Sequence, residues 1–91
     1  MEKQLHLFFN GHVQGVGFRF TAEGIANNLN ITGWVKNLAD GRVEIMAKGE
    51  EDALKNYLEQ IKRSFRNYID DIDIQWQSVS GAFNDFRVAN S

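Results

Sequence analysis

The sequence predicts an α+β fold in which two helices cover one face of a single antiparallel sheet. Three observations support it: two apolar stripes at helical spacing, several stretches in which apolar and polar residues alternate, and a short turn that joins two of those stretches. In chain order the elements read β-α-β-β-α-β. Two crossover helices between strands of one sheet define the ferredoxin-like two-layer sandwich. Many unrelated functions use that frame, so it predicts no activity by itself.

The first half of the chain predicts a strand, a helix and a hairpin. Leu5, Leu7 and Phe9 alternate with their neighbours and predict β1, which ends at Gly11. Helix α1 follows the loop, with an apolar stripe at helical spacing: Phe18, Ala22, Ile25, Ala26 and Leu29. Residues 31–37 and 42–48 flank a connection that ends in Asp-Gly, which predicts the hairpin of β2 and β3.

The second half predicts a helix and one or two strands. We expect Gly49 to interrupt the strand pattern, and a second apolar stripe then predicts α2: Leu54, Tyr57, Leu58, Ile61 and Phe65. Acidic residues stand in the first turn of this helix and basic residues toward its other end, as the helix dipole favours. Ile72, Ile74 and Trp76 form the apolar side of β4. Phe86 and Val88 predict a short β5 or an edge extension.

Length and composition restrict the class of protein. A chain of 91 residues predicts one domain, residues 1–91. Without cysteine there is no disulfide, thiolate nucleophile or thiolate metal site, and we expect a cytoplasmic location. No apolar run approaches the roughly 20 residues that span a bilayer. A net charge of -2 gives no overall attraction to nucleic acid. We expect a soluble monomer that binds neither membrane nor nucleic acid.

The loop before α1 is rich in glycine and has two interpretations. Gly15 and Gly17 allow positive φ angles and a close approach of the backbone to a ligand. Such a loop is either a tight strand-to-helix turn or a nest of N–H donors that binds an anion at the start of the helix. A single G-x-G spacing does not distinguish them.

Arg19 favours the anion site. A cation in the first turn of a helix faces the positive end of the helix dipole, which disfavours the helix by roughly 0.3–1 kcal/mol. An ion pair with Glu23, four residues further along, is one way to offset this, although Arg before Glu is the poorer orientation. The alternative is that Arg19 and the loop amides share one bound anion, and phosphate matches the two parallel donors of a guanidinium.

Two longer stretches contain these residues. Residues 11–19 read G-H-V-Q-G-V-G-F-R, and residues 33–37 read G-W-V-K-N, followed by Gly41-Arg42-Val43 and Gly49. These stretches resemble the two signatures of the acylphosphatase family, the first of which is G-x-V-Q-G-V-x-F-R, at every fixed position. The resemblance extends over about residues 3–88.

The resemblance implies an activity and a site. The activity is metal-independent hydrolysis of the carboxyl-phosphate bond of small-molecule acyl phosphates, with no cofactor. Arg19 is implied to bind the phosphate and Asn37 to position the attacking water. The implied phosphate-binding residues are those of the backbone cradle with the arginine: Gln14, Gly15, Val16, Gly17, Phe18 and Arg19. The chain departs from the family at Asn90, where an aromatic residue is usual, and at residues 64–71, which lack a glycine-proline turn.

Other interpretations remain open. A noncatalytic module of the same fold, like the segment of hydrogenase maturation proteins, would bind a phosphorylated metabolite or carbamoyl phosphate. A regulatory sensor would bind a small molecule between subunits. Asn37 alone is also typical of a residue that caps a turn. Trp34 is either a wall of the substrate cleft or a packing residue.

Several residues suggest other chemistry only weakly. His6 and His12 lack a third ligand at metal-binding spacing. Asp71 and Asp73 are typical of solvated charge at a sheet edge. Phe8 lies on the predicted open face, where an RNA base could stack, but the sequence indicates neither a basic cluster nor a second aromatic there.

Overall fold

The computed structural model describes residues 1–89, which form five strands and two helices. The elements are β1 (Glu2–Gly11), α1 (Phe18–Asn28), β2 (Thr32–Asn37), β3 (Val43–Glu50), α2 (Glu51–Ser64), β4 (Ile69–Gln77) and β5 (Phe86–Val88). The predicted β-α-β-β-α-β order and the ferredoxin-like class are confirmed, with β5 as a separate short strand. Asn90, where the sequence departs from the family pattern, lies outside the described residues.

The strands form one sheet in the order β4-β1-β3-β2-β5. The four longer strands pair antiparallel, as predicted, but β5 pairs parallel to β2 and makes the sheet mixed. The reason is the path of residues 78–85, which lead from β4 at one edge to β5 at the other. The amide N–H of Ser80 donates a hydrogen bond of 3.2 Å to Gln4 Oε1, which anchors this segment to β1.

The core lies between the helices and the two central strands. Leu5, Leu7 and Phe9 of β1 stand opposite Ala47, Ile45 and Val43 of β3, and all six side chains are fully buried. At roughly 25 cal/mol per Å² of apolar surface, this burial is the main stabilising contribution to the fold. The apolar stripes predicted for the two helices pack against these strands and complete the core. The Tyr57 hydroxyl of α2 donates a 3.1 Å hydrogen bond to the Ala22 carbonyl of α1.

Two elements differ from the sequence prediction. Strand β3 continues through Gly49, which does not interrupt it; a Cβ built there would lie 3.3 Å from Ile31 Cγ1, so the glycine admits close packing. Ile74 and Trp76 lie on the helical side of β4 as predicted, yet they are 42% and 43% exposed. The helices do not cover them because β4 is an edge strand.

Within residues 1–89, no helix is both long enough and apolar enough to cross a membrane.

Candidate active site

Three strand ends and one helix start meet at the same end of the molecule. Because β1 and β2 both run antiparallel to β3, and β5 runs parallel to β2, the carboxyl ends of β1, β2 and β5 lie together. The sequence suggests that Asn37 at the end of β2 lies beside β1. That expectation is wrong, because β3 separates the two strands. Helix α1 packs on β2 and β5, and so brings Arg19 to Asn37.

A cavity of about 350 Å³ at this end contains most of the predicted site. Its lining comprises Val13, Gly15, Gly17, Phe18, Arg19, Phe20, Asn37 and Val88. The two residues with implied chemical roles therefore face one cavity together with the glycines of the loop. Gln14 and Val16 do not line it, and Val16 packs against the core. The predicted site did not include Val13, Phe20 or Val88, although Val13 is a fixed position of the first signature and Phe20 directly follows Arg19.

The loop glycines adopt the backbone conformation that an anion nest needs. Gly15 and Gly17 have φ angles of 79° and 80°, in the left-handed region that other residues rarely adopt. A Cβ at either position would meet no atom within 4 Å, so the requirement is for backbone conformation and not for space. Both glycines line the cavity beside the first turn of α1.

The start of α1 carries unsatisfied N–H groups. The first helical hydrogen bond runs from Thr21 N to Gly17 O, at 3.1 Å. In the part of the chain that the structure describes, the amides of Phe18, Arg19 and Phe20 donate to no backbone carbonyl, and no side chain caps the helix. The first turn contains no acidic residue. These donors and the positive end of the dipole are therefore available to an anion.

Arg19 adds a full positive charge to this end of the helix. It is partly exposed. Across residues 1–89, no carboxylate forms an ion pair with it, and in particular Glu23 does not. The explanation of Arg19 by a pair with Glu23 therefore lacks support. A guanidinium beside free amides and the positive helix end favours a dianion such as phosphate.

The side chain of Asn37 is not used to close the turn after β2. That turn is closed by Leu38 N donating to Arg42 O at 2.8 Å and by Arg42 N donating to Asp40 Oδ1 at 3.1 Å. The backbone N–H of Arg42, together with its Nε, which donates to Asp40 Oδ2 at 2.8 Å, holds the pKa of the Asp40 carboxyl below its usual range. Asn37 is partly buried on the same face as Val35 and lines the cavity. Asn37 thus lines the cavity, and its side chain takes no part in the hydrogen bonds that close the turn.

Gln14 has a role that sequence reasoning did not identify. Its side-chain Nε2 donates two hydrogen bonds, of 2.8 Å to Leu38 O and 2.9 Å to Arg42 O. The glycine loop is thereby fastened to the turn that directly follows Asn37. No sequence pattern signals this contact, because the partners are 24 and 28 residues away along the chain.

The open face of the sheet contains His6 and Phe8, which the sequence links only weakly to metal binding and to RNA binding. His6 Nε2 lies 2.6 Å from Glu44 Oε2, and among the described residues no three His, Cys, Asp or Glu side chains group as metal ligands would. Trp34 lies on this face, with Lys36 Nζ 5.1 Å from its ring centroid, and does not line the cavity that holds Asn37. It lines a neighbouring cavity with Lys36 and Arg87, and Val88 borders both cavities.

Comparisons with known proteins agree with the two sequence signatures. A model of the acylphosphatase family matches residues 5–88. The acylphosphatase of Caldanaerobacter subterraneus subsp. tengcongensis is 40% identical over 89 residues, which cover 97% of this chain and 99% of that protein. The chain therefore belongs to the acylphosphatase family, hydrolases whose function is the hydrolysis of acyl phosphates.

Solved structures support the same conclusion. The crystal structure of acylphosphatase from Bacillus subtilis superposes with a TM-score of 0.88 at 35% identity, covering 98% of this chain and 99% of that one. The structure of HypF from T. kodakarensis superposes with a TM-score of 0.83 at 31% identity, covering 98% of this chain but 12% of that one. The same fold thus also occurs as a small part of a much longer chain.

Proposed function

We propose that this chain is a metal-independent acylphosphatase with Arg19 and Asn37 as its catalytic residues. It hydrolyses the carboxyl-phosphate bond of a small-molecule acyl phosphate and releases a carboxylate and inorganic phosphate. The observation that carries the proposal is that Arg19, Asn37 and the uncapped start of α1 face one cavity. Family membership supports the reaction, and the geometry supports the assignment of the residues.

The phosphate group binds where positive potential converges. The guanidinium of Arg19 donates two parallel hydrogen bonds to phosphate oxygens, and the backbone amides of residues 14–19 supply further donors. In the transition state, negative charge spreads over the equatorial oxygens of the phosphoryl group. Donors that are already oriented stabilise this charge without reorganisation, which is the main source of rate enhancement in such transfers.

The attacking nucleophile is a water molecule held by the Asn37 amide. Water attacks the phosphorus in line with the bond to the carboxylate oxygen, and that bond breaks with its electron pair on the carboxylate. A neutral amide orients the water without acting as a base. The proton lost by the water goes to a phosphate oxygen of the substrate. The leaving carboxylate is stable as an anion near neutral pH, so no general acid is needed.

The chain itself supplies every group that this scheme requires. No step needs a metal ion or a cofactor, because the guanidinium and the amides neutralise the phosphate charge. We also propose that the open face binds no nucleic acid, because the Arg42 guanidinium carbon lies 4.8 Å from the centroid of the Phe8 ring, where a base would have to stack.

We further propose that the protein acts as a single domain, residues 1–91, and as a monomer. The apolar stripe of α2 is buried within its own chain, which supports the monomeric state. The absence of cysteine means that folding needs no oxidising compartment, which supports a cytoplasmic location.

One alternative is a noncatalytic module that binds a phosphorylated ligand, because the chain also resembles a small part of full-length HypF, which is known in a phosphate- and nucleotide-bound form. Such a module would need the cradle and Arg19 but not Asn37. Catalytic turnover separates the two functions.

The test is phosphate release from benzoyl phosphate in the presence of EDTA. We expect multiple turnovers at a rate that EDTA leaves unchanged. Glu23→Gln is the matched control, because Glu23 lies on α1 without an ion pair to Arg19, and it should retain the parental rate. Binding of inorganic phosphate without turnover would support the noncatalytic module. A rate that appears only when a divalent metal is restored would contradict the metal-independent scheme.

A further inference from the structure

One rim of the cavity is apolar and exposed. Phe20 is 79% exposed and lines the cavity next to Arg19, and Val88, which is 39% exposed, lines it as well. Phe18 and Ala22 of α1 point into the core, whereas Phe20 points away from it. A single exposed aromatic residue is ordinary on a protein surface. Two exposed apolar side chains beside the phosphate donors are instead placed where the remainder of a bound acyl phosphate must lie.

Gly24 leaves the ring of Phe20 uncovered. It lies one helical turn after Phe20, and a side chain on a helix covers the turn on its N-terminal side. Glycine is unfavourable in a helix interior. A Cβ at position 24 would meet no atom within 4 Å, so packing does not explain the glycine. The surface of α1 at this position is therefore open.

We propose that Phe20 and Val88 form the acyl-binding side of the site and that Phe20 determines specificity for aromatic or extended apolar acyl groups. This inference rests on the proposed function. With the phosphate held by Arg19 and the loop amides, the acyl group extends along the rim of the cavity. An aromatic acyl group packs against the Phe20 ring in the offset or edge-to-face geometry that aromatic pairs prefer.

The experiment compares kcat/KM for benzoyl phosphate and acetyl phosphate. Both substrates present the same phosphate, so their ratio isolates the acyl group. We expect the ratio to fall by about three- to tenfold in Phe20→Ala, the effect typical of one aromatic contact. The change should come from benzoyl phosphate, with acetyl phosphate hydrolysed at close to the parental kcat/KM. Phe20→Leu should restore part of the ratio because it keeps an apolar side chain at the rim.

Two further variants separate this role from a structural one. Gly24→Gln places a side chain over Phe20 and should lower the ratio while thermal unfolding shows no loss of stability. Val79→Ala removes an apolar side chain that is as exposed as Val88 but does not line the cavity. This variant should leave the ratio unchanged.

The outcomes distinguish this inference from the proposed function. If the parental protein hydrolyses neither substrate, both are overturned. If it hydrolyses both, and Phe20→Ala changes the ratio by less than about twofold or slows both substrates equally, the acyl-binding role is overturned and the proposed function stands.

Discussion

At the scale of single residues, Gln14 links the two halves of the site. Its amide group connects the glycine loop to the turn after Asn37 through two hydrogen bonds, each contributing about 0.5–1.5 kcal/mol. The Gln14 side chain contacts the backbone of the turn and does not line the cavity, so we propose that this side chain positions Asn37. Any loss of this link should change the alignment of Asn37 with the bound phosphate more than the affinity for the phosphate.

We therefore predict that Gln14→Ala lowers kcat on benzoyl phosphate by about tenfold, because small misplacements reduce rates strongly. KM should change less than threefold. Gln14→Glu should lower the free energy of unfolding more than Gln14→Ala, since a carboxylate cannot donate to the carbonyls of Leu38 and Arg42. Steady-state kinetics and urea unfolding measure both effects. Equal stability of Gln14→Glu and the parental protein would show that this link contributes nothing.

The sequence motifs point to residues that line one cavity, but not to the contacts that surround them. Arg19 and Asn37 stand in motifs that are local in sequence, so both could be proposed for a site before the fold was known. The contact of Gln14 with Leu38 and Arg42 depends on how distant segments meet. The position of Trp34 depends on which face of β2 meets the helices, and the motif does not specify that face.

At the scale of elements, β2 fixes the position of Asn37 and depends on Gly33. Gly33 has a φ of 140°, and a Cβ there would clash with the carbonyl oxygen of Met46 on β3. The strand therefore approaches β3 in a way that only glycine permits.

Replacing glycine by alanine at positions 33 and 24 should therefore change the free energy of unfolding in opposite directions. Gly33→Ala should lower the free energy of unfolding by more than about 2 kcal/mol, because the added methyl forces β2 away from β3. Gly24→Ala, in open space on α1, should raise it by about 0.5–1 kcal/mol through better helix propensity. Urea unfolding of both variants measures the difference. If Gly33→Ala is as stable as the parental protein, β2 does not need glycine at position 33 to approach β3.

Element types could be predicted from periodicity, but their directions and ends could not. Alternation predicts β4 and β5 as strands without revealing that residues 78–85 turn β5 parallel to β2. Gly49 is typical of a break in a sequence, yet its pairing with Lys3 of β1 keeps it within β3.

At the scale of the whole molecule, the two helices are joined through a buried tyrosine. The Tyr57 side chain is fully buried, and burial raises the pKa of its hydroxyl above the usual value of 10.0. The protonated form is therefore favoured in the folded state. Tyr57 ionises at a lower pH in the unfolded chain than in the folded protein. The stability that the protonated hydroxyl contributes is therefore complete below pH 10 and is lost as the pH rises further.

We predict that the free energy of unfolding falls as the pH rises above about 10, and that Tyr57→Phe removes much of this dependence. At neutral pH the same variant should lose about 0.5–1.5 kcal/mol with its hydrogen bond to Ala22. Tyr68→Phe is the control, because Tyr68 is 42% exposed. Denaturant unfolding at pH 7 to 11 measures these effects. An unchanged pH dependence in Tyr57→Phe would contradict the assignment.

The central claim is a division of work in which Arg19 and the loop amides hold the phosphate while Asn37 holds the water. Measuring the Kd of inorganic phosphate together with kcat on benzoyl phosphate, for Arg19→Ala and Asn37→Ala, tests it most directly. Arg19→Ala should weaken phosphate binding at least about tenfold and also lower kcat. Asn37→Ala should bind phosphate within about twofold of the parental protein, with kcat at least roughly 100-fold lower. A near-parental kcat in Asn37→Ala, or unchanged phosphate binding in Arg19→Ala, would contradict the account.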